Sequence, residues 1–149
     1  MFHISRKADY AIRGMVYLAC KQVEEVSSLK DIACFADASP TFLAKIFQQF
    51  NRTGIVKSSR GSGGGFSLGR PARDITLLEI IEAVEGPIAV NQCILGKGVC
   101  SRDVTCPVHP VWKEVQQQMT GMLGSVTLER LVGETPVDES FSPLDKSGK

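Results

Sequence analysis

The sequence predicts a mostly α fold with one small β-hairpin: a winged helix-turn-helix followed by a long helix suited to dimerisation. Three observations carry this expectation. Apolar residues recur at helical spacing through the first fifty positions, broken by a cap and a turn near the middle. A glycine-rich run, Arg60 to Gly65, then separates two short strand-like segments. Later, an apolar stripe from Val108 to Leu123 marks a long helix whose natural partner is a second copy of itself, the alternative being packing against the first helix.

The first helix is expected from about Arg6 to Val23, capped by Ser5. Ala8, Ile12, Met15, Val16 and Ala19 form its apolar face, and Asp9 and Arg13 are paired four residues apart on the other. Ser27 or Ser28 starts a short second helix, LKDIACFAD, with Leu29, Ile32, Ala33 and Phe35 inward. Cys20 and Cys34, on these two helices, are expected in the core. A turn at Asp37-Ala38 leads to Ser39-Pro40, a cap followed by proline at the first helical position. The third helix runs to about Arg52 with Leu43, Ile46, Phe47 and Phe50 inward, and Gly54 ends it.

Two short helices joined by a tight turn make a helix-turn-helix. Ser39, Thr41, Ala44, Lys45 and Gln48 lie at or near the outward start of its second helix. They are small side chains or hydrogen-bonders, as a helix entering the major groove requires. A plain helical hairpin would look similar up to this point. The next segment separates the two. Ile55 to Ser59 and Phe66 to Leu68 flank the glycine-rich turn as a wing. Lys57, Ser59, Arg60, Gly61, Gly63 and Gly64 are its candidate contacts to double-stranded DNA. Arg60 would reach a groove, and the loop amides would reach phosphate. A nucleotide-binding glycine loop would need a following Lys-Ser/Thr or Gly-x-Gly-x2-Gly and would open into a helix; this run feeds a strand.

Residues 70–74 read as a linker. Thr76 caps a fourth helix, LLEIIEAVEG, with Glu79 at the capping-box position and Leu77, Ile80, Ile81 and Val84 inward. The loop after it carries Cys93, Cys100, Cys106 and His109 in the spacing Cys-x6-Cys-x5-Cys-x2-His. Glycines and small polar residues between the cysteines favour a loop able to aim three sulfurs and an imidazole at one point. Soft thiolates with one nitrogen suit zinc or an iron–sulfur cluster. The long helix is expected from Pro107 to about Gly124 and a last short one over LERLVG, capped by Thr127. By this division residues 1–72 form the DNA-binding domain, 73–132 the cysteine loop and dimerisation helices, and 133–149 a disordered tail.

Charge is unevenly divided. Residues 1–70 hold ten Lys/Arg against five acids, net +5, and the remainder is net −4. A basic front half fits a polyanionic partner. No run of 18 apolar residues exists, so no membrane span is expected, and the opening residues lack the apolar block of a secretory signal. A cytoplasmic protein is expected. Five cysteines, an odd count, argue for metal or redox chemistry over a disulfide scaffold. With only His3 and His109 as histidines and no nucleophile–base pair in view, enzymatic hydrolysis has no support.

The segments ISRKADYAIRGMVYLA, SPTFLAKIFQQFNRTGIV and SSRGSGGGFSLGRP, with the three-cysteine loop and HPVW, resemble the iron–sulfur-cluster regulator (IscR/NsrR) type of winged-helix transcription factor. The resemblance covers residues 1–132. It implies a homodimer on a near-palindromic site, with Cys93, Cys100 and Cys106 holding an iron–sulfur cluster. His109 matches the fourth ligand of members with a [2Fe–2S] cluster. Asp9 matches the partner-subunit aspartate of members with a [4Fe–4S] cluster. His109 and [2Fe–2S] are the preferred pair. Six residues separate Cys93 from Cys100 where five are usual in the family. The alternatives are a winged-helix protein with a structural zinc or thiol-redox Cys3His site, and a small iron–sulfur electron carrier.

Overall fold

The Ser5 hydroxyl accepts the amide of Ala8 and opens the first helix, α1 (Arg6–Ala19). In the computed structural model, which describes residues 3–22 and 24–134, α1 is the inner helix against which much of the chain packs. Its buried stripe is Ala8, Ala11, Met15 and Leu18, with Gly14 and Tyr17 beside it. Ile12, Val16 and Ala19, expected at its centre, are only half-buried flanks. Small residues occupy the middle because other helices approach closely there. A Cβ on Gly14 would lie 2.9 Å from the Phe47 ring. The helix stops four residues earlier than expected. The amides of Cys20 and Lys21 close a tightened last turn onto Val16, Tyr17 and Leu18, and the chain then bends through Gln22 and Glu25.

Ser28, not Ser27, caps the second helix, α2 (Leu29–Ala36), by accepting the Asp31 amide. Ser27 instead exchanges both backbone hydrogen bonds with Phe66 and so adds a one-residue rung to the hairpin. Asp37 ends α2 in the left-handed conformation (φ 56°), which aspartate tolerates better than most residues. The Arg13 guanidinium donates to the Ala36 carbonyl and holds that turn from outside. Ser39 and Pro40 then start α3 (Pro40–Thr53), with Leu43, Ile46, Phe47 and Phe50 fully buried and Gly54 closing it at φ 78°. Strands β1 (Val56–Ser59) and β2 (Gly65–Leu68) pair antiparallel, with Val56 opposite Leu68 and Ser59 opposite Gly65. The segment expected as a linker holds a single 3-10 turn, Ala72–Asp74, in which the Asp74 amide donates to the Pro71 carbonyl.

Thr76 caps α4 (Leu77–Glu85), and the Glu79 carboxylate pairs with Arg70. Beyond the cysteine loop, α5 runs from His109 to Ser125 and α6 from Leu128 to Glu134. The Val126 and Ile75 carbonyls accept the first amides of α4 and α6 respectively, so the two helices begin side by side. Leu128 is fully buried and joins one apolar cluster with Met15, Ile32, Phe47, Ile55, Ile75 and Ile80. The core therefore runs from α1 through the helix-turn-helix to α4 and α6. Residues 135–149, most of the expected tail, lie outside the described residues. Among the described residues no helix is long and apolar enough to cross a membrane.

Candidate nucleic-acid interface and cysteine cavity

The Ser39 hydroxyl accepts the Phe42 amide, which leaves the first turn of α3 ordered and open to solvent. Thr41, Lys45 and Gln48 are exposed on the side of α3 opposite its four buried residues, and Ala44 is half-buried beside them. On the hairpin, Lys57, Ser59, Arg60, Gly61 and Gly63 are exposed. The Ser58 amide donates to Asn51 Oδ1 at 3.1 Å, tying β1 to the last turn of α3. Asn51 thereby fixes the hairpin relative to the helix, a role that its polar character in the sequence did not reveal.

The wing glycines divide into two uses. Gly61 has φ 101° with open space around it, so its freedom serves the turn itself. A Cβ on Gly65 would fall 1.9 Å from the Ser27 carbonyl oxygen, so that glycine is required by the rung to Ser27. Gly64, half-buried, is likewise confined by the Ser59 and Gly61 carbonyls.

Between α4 and α5 the chain forms a half-open cavity of about 350 Å³. Cys93, Cys100, Cys106 and His109 all line it, together with Asp103 and Trp112. Cys93 sits on a 3-10 turn, Gln92–Ile94, whose first amide is accepted by the Asn91 side chain. Cys106 closes a turn onto the Arg102 carbonyl at 2.8 Å, and His109 is the first residue of α5. The helix starts two residues later than expected because residues 102–108 form successive turns and offer no side-chain cap. Within the loop, Asp103 accepts the amide of Gly98, which has φ 82°.

His109 Nδ1 is buried without a hydrogen-bond partner. Such an orphan normally costs free energy, which makes it a candidate for a ligand bond. The three cysteines are free thiols, half-exposed to the cavity. Among the described residues, however, no group of three or more His, Cys, Asp or Glu side chains converges tightly enough to hold a metal ion. The loop brings the donors to one cavity and leaves them apart within it. Asp9, on α1, is already engaged, its carboxylate 2.7 Å from Arg13.

Cys20 and Cys34 are exposed, contrary to the expectation that both are core. Cys20 lies one residue past the end of α1, and Cys34 is on the face of α2 away from the buried Ile32, Ala33 and Ala36. Partial burial raises the Cys20 thiol above its usual range, against a smaller opposing pull from Lys21. Gln116, expected on the polar face of α5, grips the chain before the loop. Its amide nitrogen donates to the Ile88 carbonyl at 2.8 Å and its oxygen accepts the Val90 amide at 3.0 Å.

Comparison with known proteins agrees with this architecture. Residues 4–134 match the family model described as Rrf2, iron-dependent transcriptional regulator. The HTH-type transcriptional regulator IscR of Klebsiella pneumoniae is 32% identical over 146 residues, spanning 98% of this chain and 85% of that protein. The solved structure of CymR, the global cysteine regulator of B. subtilis, superposes with a TM-score of 0.74 at 32% identity, covering 91% of this chain and 99% of that one. T. potens IscR superposes with a TM-score of 0.72 at 28% identity, covering 95% and 92% respectively. These relatives are transcriptional regulators, not enzymes. The chain belongs to the Rrf2 family and is a DNA-binding transcriptional regulator of the IscR-like kind.

Proposed function

We propose that the protein is a homodimeric regulator whose DNA binding responds to an iron–sulfur cluster held by Cys93, Cys100, Cys106 and His109. The observation that carries this reading is the cavity shared by those four side chains, with His109 Nδ1 buried and unpartnered. Three thiols and one imidazole fit such a group by ligand type. His109 is favoured over Asp9 because the histidine lacks a partner where the aspartate has Arg13. A histidine within the same chain also favours [2Fe–2S] over a [4Fe–4S] cluster bridging two subunits. When bound, the group supplies a redox-sensitive centre. Cys106 and His109 stand at the foot of α5, so drawing their side chains together fixes the first turn of that helix. Dimerisation is supported by the apolar residues left uncovered along α5, Val111, Val115 and Met122, with Val108 just before it. The exposed faces of α3 and of the hairpin, including Lys45, Gln48, Lys57 and Arg60, support their role as the DNA contacts of each subunit on a near-palindromic site.

A second reading keeps the regulator and replaces the cluster with zinc or with reversible thiol chemistry. It is favoured by ligand type, since three thiols and one imidazole are also an ordinary zinc set and the three cysteines are free. Anaerobic purification followed by a visible spectrum and iron and sulfide counts distinguishes the two. A brown protein with iron and sulfide, lost in Cys100→Ala and kept in Cys20→Ala and Cys34→Ala, is expected. Colourless protein with stoichiometric zinc, or full iron retention in Cys100→Ala, would overturn the assignment.

A further inference from the structure

The recognition helix and the cysteine loop are joined through a polar tie that neither site requires for itself. Lys7 Nζ donates to Gln49 Oε1 on α3 and to the Val84 carbonyl at the end of α4, each at 3.3 Å. Nearby, the Ser5 amide donates to the Glu85 carboxylate. From Val84 the chain passes through Gly86 and Pro87 to Ile88, whose amide is accepted by Glu82. Gln116 of α5 then clamps Ile88 and Val90, three residues before Cys93. Val84 and Ile88 are themselves buried. Residues 84–90 are thus gripped by Gln116 of α5 at one end and by Lys7 of α1 at the other, and Lys7 in turn reaches Gln49 of α3.

We propose that Lys7 is a positioning residue for the recognition helix, and that residues 84–90 carry the state of α5 and the cysteine loop to Gln49 through it. Packed side chains and hydrogen bonds are the means by which coupling travels between sites, and a double-variant cycle measures it. Only the meaning of the signal rests on the function proposed above; the coupling belongs to the chain alone.

The test is amide hydrogen exchange on the full chain, metal-free and without DNA. Gln116→Met keeps the side chain's length and removes both clamp bonds. It should speed exchange roughly two- to tenfold in residues 84–90 and in the last two turns of α3, with α2 unchanged. In a Lys7→Met background, Gln116→Met should still speed 84–90 but add nothing in α3. Lys7→Arg should restore the response, which a merely space-filling role for Lys7 would not predict. Gln49→Met cuts the tie from the other side and should uncouple the ends equally, which covers the case that Lys7→Met fails to fold. An α3 unmoved by Gln116→Met, or effects that multiply independently in the double variant, would overturn the proposal. None of these outcomes depends on whether the cavity binds iron, zinc or nothing.

Discussion

Gly14 shows how tightly one position can be specified. Its missing side chain lets the Phe47 ring and Ile32 approach, the nearest ring atoms standing 2.9 Å and the Ile32 methyl 3.2 Å from where a Cβ would be. Phe47 and Ile32 are fully buried and cannot swing away. Gly14→Val should therefore cost about 1–3 kcal/mol through overpacking, well beyond any effect on helix propensity. A urea titration reads this as a lower midpoint with an unchanged slope. A midpoint equal to that of the parent protein would mean α1 and α3 do not meet as described. The sequence did not announce this. A glycine within a helical pattern reads as a tolerated defect, and only the neighbour across the contact reveals its purpose. The same blindness hid Asn51, Gln49 and Gln116. Each carries an amide that reads as facing solvent until its backbone or side-chain partner is known.

At the scale of elements, the helices were legible because caps and periods agreed. Ser5, Ser39, Thr76 and Thr127 each accept an amide three residues on, as short polar side chains before apolar runs should. The ends were less legible. The tightened turn that stops α1 and the turns that delay α5 depend on backbone hydrogen bonds without a residue signature. The hairpin was visible from its glycines, yet its seating was not, since the rung to Ser27 and the bond to Asn51 join segments far apart in sequence. That seating is testable. Asn51→Ala removes the acceptor of the Ser58 amide, an exposed bond worth about 1 kcal/mol. Exchange in residues 56–68 should speed roughly fivefold while the core of α3 stays protected. If the hairpin amides are unaffected, the wing is held by the strand pairing alone.

At the scale of the whole molecule, the cysteine spacing in the sequence led to the cavity but could not give the distances within it. The apolar stripe of α5 led to an unpartnered helix face but could not show how the rest of the chain leaves it bare. No α5 residue is fully buried, although the helix spans 17 residues and packs on α4. Val111 and Val115, one turn apart, are 52% and 39% exposed, and Met122 is 69% exposed. Scattered apolar exposure is ordinary, but a row along one long helix marks an interface. In the proposed homodimer a second copy covers this face by symmetry, each α5 against the other. Val111→Glu should then convert a dimer into a monomer, read by sedimentation at micromolar concentration, because each subunit would bury an unpaired carboxylate in an apolar contact. The same variant should change the response of DNA binding to salt. A dimer touching roughly 6–8 phosphates gives a log–log slope of about −5 to −7, and one subunit alone would give about half of that. Duplexes selected from a random pool serve as the probe. If Val111→Glu remains dimeric, or the parent protein sediments as a monomer, the face of α5 is covered in some other way. A monomeric parent protein would also end the paired-site reading of DNA recognition, since two recognition helices can be held at a fixed spacing only by a fixed contact between their subunits.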